Sequence, residues 1–192
     1  MPTQKELLEL AEEIKMCMKC HSPYEKVTTE RSVFVRDLFL EGPWFFPPKG
    51  SVKGFLGTGP VMFVAERPAT GKPFSSNKSG DTYFYCLLED GFSNAHLTDL
   101  IKCRGKTSKE NEKSSEYENC EGWLLKEMDL VKPKLIVALG AKAYSRLKKL
   151  NPNIPLEKID HYGSIRRNRE NREKIRKQLE NVKLKVRQFP KS

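Results

Sequence analysis

Two uninterrupted apolar runs, Val61-Met62-Phe63-Val64-Ala65 and Leu135-Ile136-Val137-Ala138-Leu139, constrain this chain more than any other feature. A strand with one wet face alternates apolar and polar residues. A continuous run means both faces are covered, as in a parallel sheet between helix layers. A third stretch, His96 to Cys103, sets Leu97, Leu100 and Ile101 between polar ends and reads as another buried strand. Helical patterns separate the runs: Asp81 to Glu89, burying Tyr83 or Phe84 with Cys86 and Leu87; Trp123, Leu124, Met128 and Val131; and Ala141 to Leu150. Strands alternating with helices at this spacing predict a single α/β domain over residues 1–192, three-layer α/β/α with a mostly parallel central sheet.

Sheets of this kind take ligands at the carboxyl ends of their strands. Polar residues there are the first candidates. Glu66 follows the first run, and Asp99 lies within the third. His161 follows the turn-rich connector Asn151-Pro152-Asn153-Ile154-Pro155, and Phe74 sits in the polar loop after Gly71-Lys72-Pro73. A carboxylate, an aromatic face, a hydrogen-bonding residue and a histidine suit hydrolysis of the bond between a base and deoxyribose. The aromatic stacks on a flipped-out base and a polar residue reads its edge. The carboxylate positions water and stabilises a cationic sugar, and the histidine donates to the departing base. Taken singly, each residue is better read as a capped strand, a loop acid or a surface histidine.

Five cysteines form a second pattern. Thr3 and Glu6 make a capping box that opens a helix with Leu7, Leu10, Ala11 and Ile14 on one face. It runs into Cys17-Met18-Lys19-Cys20-His21, a spacing that lets two thiolates share one metal or cluster. Cys103 and Cys120 bracket a polar segment, residues 104–119, expected as a surface loop. Four thiolates suit Zn²⁺ or a [4Fe–4S] cluster, and the pattern alone leans to zinc. The c-type haem pattern made with His21 normally requires export, and the polar N-terminus has no signal-like apolar core. No apolar run reaches the ~20 residues of a membrane span, so a cytoplasmic, intracellular location is expected. Cys86 has no nearby partner and is expected to be a packed thiol.

Net charge is +10, of which +8 falls in residues 161–192, with 11 Lys or Arg against 3 Asp or Glu. That basic C-terminal segment, about 165–192, implies an anionic partner such as nucleic acid, though a basic run is as often a solvated helix face. Ile175, Leu179 and Val182 line one face of a helix there, while Val182, Leu184 and Val186 also alternate as a short strand would. Residues 24–54 look like an insertion. Its Trp44-Phe45-Phe46 could stack bases, but covering the core edge is the favoured reading.

Several segments, in order, resemble the iron–sulfur (family 4) enzymes of the uracil-DNA glycosylase superfamily. Met62 to Pro68 is similar to that family's strand ending in Gly-Glu-Ala-Pro-Gly, and Gly71-Lys72-Pro73-Phe74 to its Gly-Arg-Pro-Phe. Thr98-Asp99-Leu100-Ile101-Lys102-Cys103-Arg104 resembles Thr-Asn-Val-Val-Lys-Cys-Arg. Cys120 and Lys132 to Ala141 follow the family, and His161 with Arg167 occupies the place of its His-Pro-Ser loop.

The resemblance implies a base-excision glycosylase and a monomer acting on DNA with a damaged base, with no membrane partner. It implies a [4Fe–4S] cluster on Cys17, Cys20, Cys103 and Cys120. Glu66 would orient water, Phe74 would stack on the base and His161 would assist the leaving group. Arg166 and Arg167 would flank a DNA-inserting loop with Ile165 as its wedge. The chain departs from the pattern at Arg67, Ala69, Tyr162 and Gly163. Above all, Asp99 stands where the family has the asparagine that recognises uracil. Two outcomes follow from that change: a shifted base specificity, or a cluster-bearing nucleic-acid binder without activity.

Overall fold

The structure, a computed structural model, describes residues 3–17, 19–20, 43–68, 80–103, 114–150, 152–166 and 169–189. Within them four strands form one parallel sheet: β1 (Val61–Ala65), β2 (His96–Asp99), β3 (Leu135–Leu139) and β4 (Leu156–Ile159). Their order is β2-β1-β3-β4. The helices are α1 (Gln4–Lys15), α2 (Gly80–Glu89), α3 (Ser114–Val131), α4 (Ala141–Leu150) and α5 (Arg169–Arg187). The expected three-layer fold is therefore present.

The two continuous apolar runs are buried along their whole length because each face meets a different helix layer. Phe63, Ala65, Val137 and Leu139 point into a core with Phe84, Leu88, Ile175 and Leu179 of α2 and α5. Met62, Val64, Ile136 and Ala138 point the other way, onto Leu124, Met128, Ala143 and Leu147 of α3 and α4. The period-2 pleat distributes one run between two cores.

Several local expectations change. The stretch opening on His96 is an edge strand among the described residues, paired only with β1. Its outer edge is covered by the aromatic segment, in line with the favoured reading of Trp44-Phe45-Phe46 as a cover for the core edge. Trp44 N–H donates to the Lys102 carbonyl (2.9 Å), and Pro43 bridges Cys103. Trp44, Phe45 and Phe46 are buried, and a Cβ on Gly57 would lie 1.9 Å from the Ala95 carbonyl oxygen. Covering an edge in this way removes a template for pairing with other chains.

In α2 the inward stripe is Phe84, Tyr85 and Leu88, which leaves Cys86 exposed rather than packed. Residues 104–113 of the expected surface loop lie outside the described residues, and from Ser114 onward the segment is α3, with Glu116 near its positive end. The alternation at Val182, Leu184 and Val186 is helical: α5 runs to Arg187 and Leu184 is exposed. The basic segment is thus no free tail, because Ile175, Leu179 and Val182 seat it in the core. No helix among the described residues is long and apolar enough to cross a membrane.

Candidate active site and cysteine cluster

The chain passes from β1 to β2 on one side and then crosses to β3 on the other, so the topology switches between β1 and β3. Ligands of open α/β sheets bind outside the strand ends at such a point. Glu66 is the first residue past β1 and Lys142 lies in the first turn of α4, just past β3. They meet across the switch, with Lys142 Nζ 3.3 Å from Glu66 Oε1.

Register places the other candidates on the same edge. Ala65 pairs with Asp99, and the ladder continues beyond β2: Leu100 N–H donates to the Ala65 carbonyl and Ile101 N–H to that of Glu66. On the far side Leu139 pairs with Ile159, and His161 follows two residues later. The sequence reading had no strand here. Leu-Glu-Lys-Ile is too short and too polar to signal one, yet β4 is what brings His161 to the edge. Asp99 at the end of β2, Glu66 just past β1 and His161 two residues past β4 therefore share one edge of the sheet. Three interstrand spacings put the Asp99 and His161 backbones about 14 Å apart, with Glu66 between them.

His161 is held on several sides. Its ring stacks on Tyr162 (centroids 4.3 Å), which in turn stacks on Phe84 (5.1 Å). Nδ1 accepts from Gly163 N–H at 3.0 Å, so a neutral ring carries its proton on Nε2. Gly140, at φ +95°, lies against it, and a Cβ there would come 3.2 Å from His161 Cβ. Glu66 accepts from the Tyr117 hydroxyl at 3.0 Å. Asp99 is buried at 4% exposure. Tyr117 was hidden in the segment read as loop; only its spacing to Cys120 and Leu124 hinted at a helix.

Phe74 and Arg167 lie outside the described residues, as does the Arg166 side chain. Ile165 is in the core at 2% exposure, packed with the α5 residues instead of standing out as a wedge.

The four cysteines converge from three elements. Cys17 lies just past the Met16 cap of α1, where its N–H donates to the Ile14 carbonyl, and Cys20 follows. Cys103 lies in the edge bridge and Cys120 in α3. Burial pushes the Cys103 thiol far up, and Cys120, Cys20 and Cys17 add to the shift. Burial also raises Cys120, more than Lys102 nearby lowers it. Asn119 Nδ2 donates to Cys20 Sγ at 3.3 Å and Lys102 N–H to Cys120 Sγ at 3.5 Å. Cys103 and Cys120 are buried and Cys17 and Cys20 half-buried; as thiolates the four would need a cation between them, which is the chemistry of a metal-binding donor set. Tetrahedral zinc with bonds of about 2.3 Å would hold the sulfurs about 3.8 Å apart. Among the described residues no group of three or more Cys, His, Asp or Glu is placed to hold a metal ion.

Behind Cys103 lies a buried polar network. Lys102 Nζ donates to Thr98 Oγ1 (2.7 Å) and the Asp99 carbonyl (2.6 Å). It also pairs with Glu127 Oε1 at 2.7 Å, close but off-line for a hydrogen bond. His96 Nε2 lies 3.4 Å from Glu127 Oε2. Burial alone would raise Glu127, but the Lys102 ammonium and His96 outweigh it and hold the carboxyl below its usual range.

A doubly covered parallel sheet thus places Glu66, Asp99 and His161 at the carboxyl ends of its strands, where α/β folds bind their ligands. The family model of the uracil DNA glycosylase superfamily matches residues 53–183, and the chain belongs to that superfamily. A curated relative, the type-5 uracil-DNA glycosylase of Pyrobaculum aerophilum, is 27% identical over 122 residues, covering 54% of this chain and 52% of the relative. The chain thus spans about half the length of that relative.

Proposed function

We propose that this protein is a DNA glycosylase that hydrolyses the N-glycosidic bond of a flipped-out, deaminated base. The alignment of Glu66, Asp99 and His161 along one sheet edge carries this reading. Glu66 uses one carboxylate oxygen to orient water and to stabilise the oxocarbenium-like sugar. His161 donates from Nε2 to the base as it leaves as an anion, its tautomer set by Gly163. Phe74 stacks on the base. The exposed cations of α5 contact phosphates.

Cys17, Cys20, Cys103 and Cys120 hold a [4Fe–4S] cluster on this reading, which rests on four thiols that influence one another and on the resemblance of the segments carrying them. When bound, it ties α1 and the edge bridge to α3.

Asp99 decides the base. An asparagine amide donates to uracil O4 and accepts from N3–H, whereas an ionised aspartate only accepts and repels O4. Uracil release is therefore weak or pH-dependent and improves with Asp99→Asn. The test is a base-release panel over uracil-, hypoxanthine- and xanthine-containing DNA, single- and double-stranded, at several pH values, with wild type and Asp99→Asn. No release of any base by cluster-loaded protein rejects the glycosylase reading. An unchanged or slower uracil rate in Asp99→Asn rejects the role of Asp99.

A further inference from the structure

We infer that Tyr117 is a positioning residue for Glu66: its hydroxyl fixes the carboxylate so that one oxygen is committed and the other is presented to water. The inference rests on the glycosylase reading above and adds to it a residue from a different layer of the fold. Both bonds described for Glu66 end on Oε1, from the Tyr117 hydroxyl at 3.0 Å and from Lys142 Nζ at 3.3 Å. Oε2 is left to accept from another donor.

The two donors are not equivalent. The Lys142 side chain is 62% exposed and sits on a flexible stem, so water competes for it and the pair orients little. Tyr117 has a rigid ring packed on the α3–α4 core, and the Arg146 guanidinium lies over its face at 4.5 Å. A ring fixed on one side by apolar packing and on the other by a cation leaves its hydroxyl little freedom. The neighbouring pair repeats the connection: Arg67 Nη2 meets Glu116 Oε2 at 2.7 Å, partly buried on both sides. Successive residues after β1 thus grip successive residues in the first turn of α3. The Glu66 backbone and its carboxylate are held by different elements.

The experiment uses the full chain as wild type, Tyr117→Phe, Glu66→Ala and the double variant. Tyr117→Phe keeps the ring under Arg146 and removes only the hydroxyl. On a substrate that wild type cleaves, the single-turnover rate falls about tenfold to a hundredfold, the loss of one hydrogen bond to a charged group. Affinity for the same DNA, read by fluorescence anisotropy, stays within about twofold. In the Glu66→Ala background Tyr117→Phe costs nothing further. Equal losses in both backgrounds, or a loss of affinity in place of rate, overturn the inference.

A urea cycle on the same four proteins reads the coupling without activity. Tyr117→Phe lowers the midpoint when Glu66 is present and leaves it unchanged in Glu66→Ala; additive shifts overturn the inference whatever the enzyme cleaves. A coupled cycle together with wild type that releases no base rejects the glycosylase reading and, with it, any role in catalysis for the contact.

Discussion

Replacing Glu127 by methionine isolates the energetics of the charge network behind the cysteine site. The Glu127 side chain is wholly buried and lies 2.7 Å from the Lys102 ammonium, whose other partners are two neutral oxygens. Glu127→Met leaves that ammonium buried with Thr98 and a carbonyl but no countercharge. Breaking a buried pair from one side costs about 3–5 kcal/mol, a large share of the 5–15 kcal/mol that holds a typical domain together. With a denaturant slope of about 2 kcal/mol per molar, the urea midpoint should fall by about 2 M. Lys102→Met should cost a similar amount, since Glu127 then keeps only His96.

The double variant Lys102→Met/Glu127→Met removes both charges and should be more stable than either single, falling short of wild type by the stranded His96 ring, about 1–3 kcal/mol. The pH dependence adds a sign. Glu127 is depressed in the fold relative to about 4.3 in the unfolded chain. Its contribution is therefore complete above that range and is lost as pH falls through the lower folded value. Wild type and Glu127→Met should converge on acidification. Circular dichroism through urea titrations at pH 7 and below checks both claims. Single variants within about 1 kcal/mol of wild type, or a double variant worse than either single, would refute the reasoning.

Two further outcomes follow from the site. Gly140→Ala forces a Cβ onto φ +95° and against His161, so stability should drop about 1–2 kcal/mol. Base release should fall with it, and a variant that is destabilised yet fully active would show that His161 tolerates displacement. In metal-free, reduced protein, iodoacetamide should label exposed Cys86 first, while Cys103 and Cys120, raised by burial, should stay slow at pH 8 and quicken only as pH climbs. Mass spectrometry reads the order; Cys103 labelled as fast as Cys86 would contradict the buried thiol set. Loaded protein should instead show a band near about 400 nm.

The fold was legible where one force dominated. Val61–Ala65 and Leu135–Leu139 are apolar throughout because helices cover both faces, and period alone identifies them. The capping box at Thr3 and Glu6 forms as its spacing requires. What failed were elements whose residues answer to two demands. The β4 residues are mostly half-exposed, so Leu-Glu-Lys-Ile carries no apolar signal even though its register delivers His161. Tyr117 sits among glutamates and asparagine, so its partial packing on the α3–α4 core and its bond to Glu66 leave little apolar signal in the local sequence. Ile165 read as a wedge beside arginines, yet its side chain faces α5, a direction no local pattern encodes. The covered edge at Pro43 and Cys103 depends on a contact between segments about 60 residues apart in sequence, which propensity does not reach.

The first turn of α3 also gives the cysteine site a mechanical place in the molecule. Within five residues, Glu116 holds Arg67, Tyr117 holds Glu66, Asn119 donates to Cys20, and Cys120 joins the thiol set. A helix start has no preceding turn to stabilise it, and its free N–H groups make it the part most prone to fray. Among the described contacts, this stretch is tied on one side to Glu66 and Arg67 just past β1 and on the other to Cys20 and, through Cys120, to the thiol set. Anything that loosens the cysteine side raises the conformational freedom of Tyr117, and the orientation of Glu66 depends on Tyr117. On the proposed reading, a centre held by these cysteines would bear on the reaction at the sheet edge through this stretch of α3, by way of Tyr117 and Glu66.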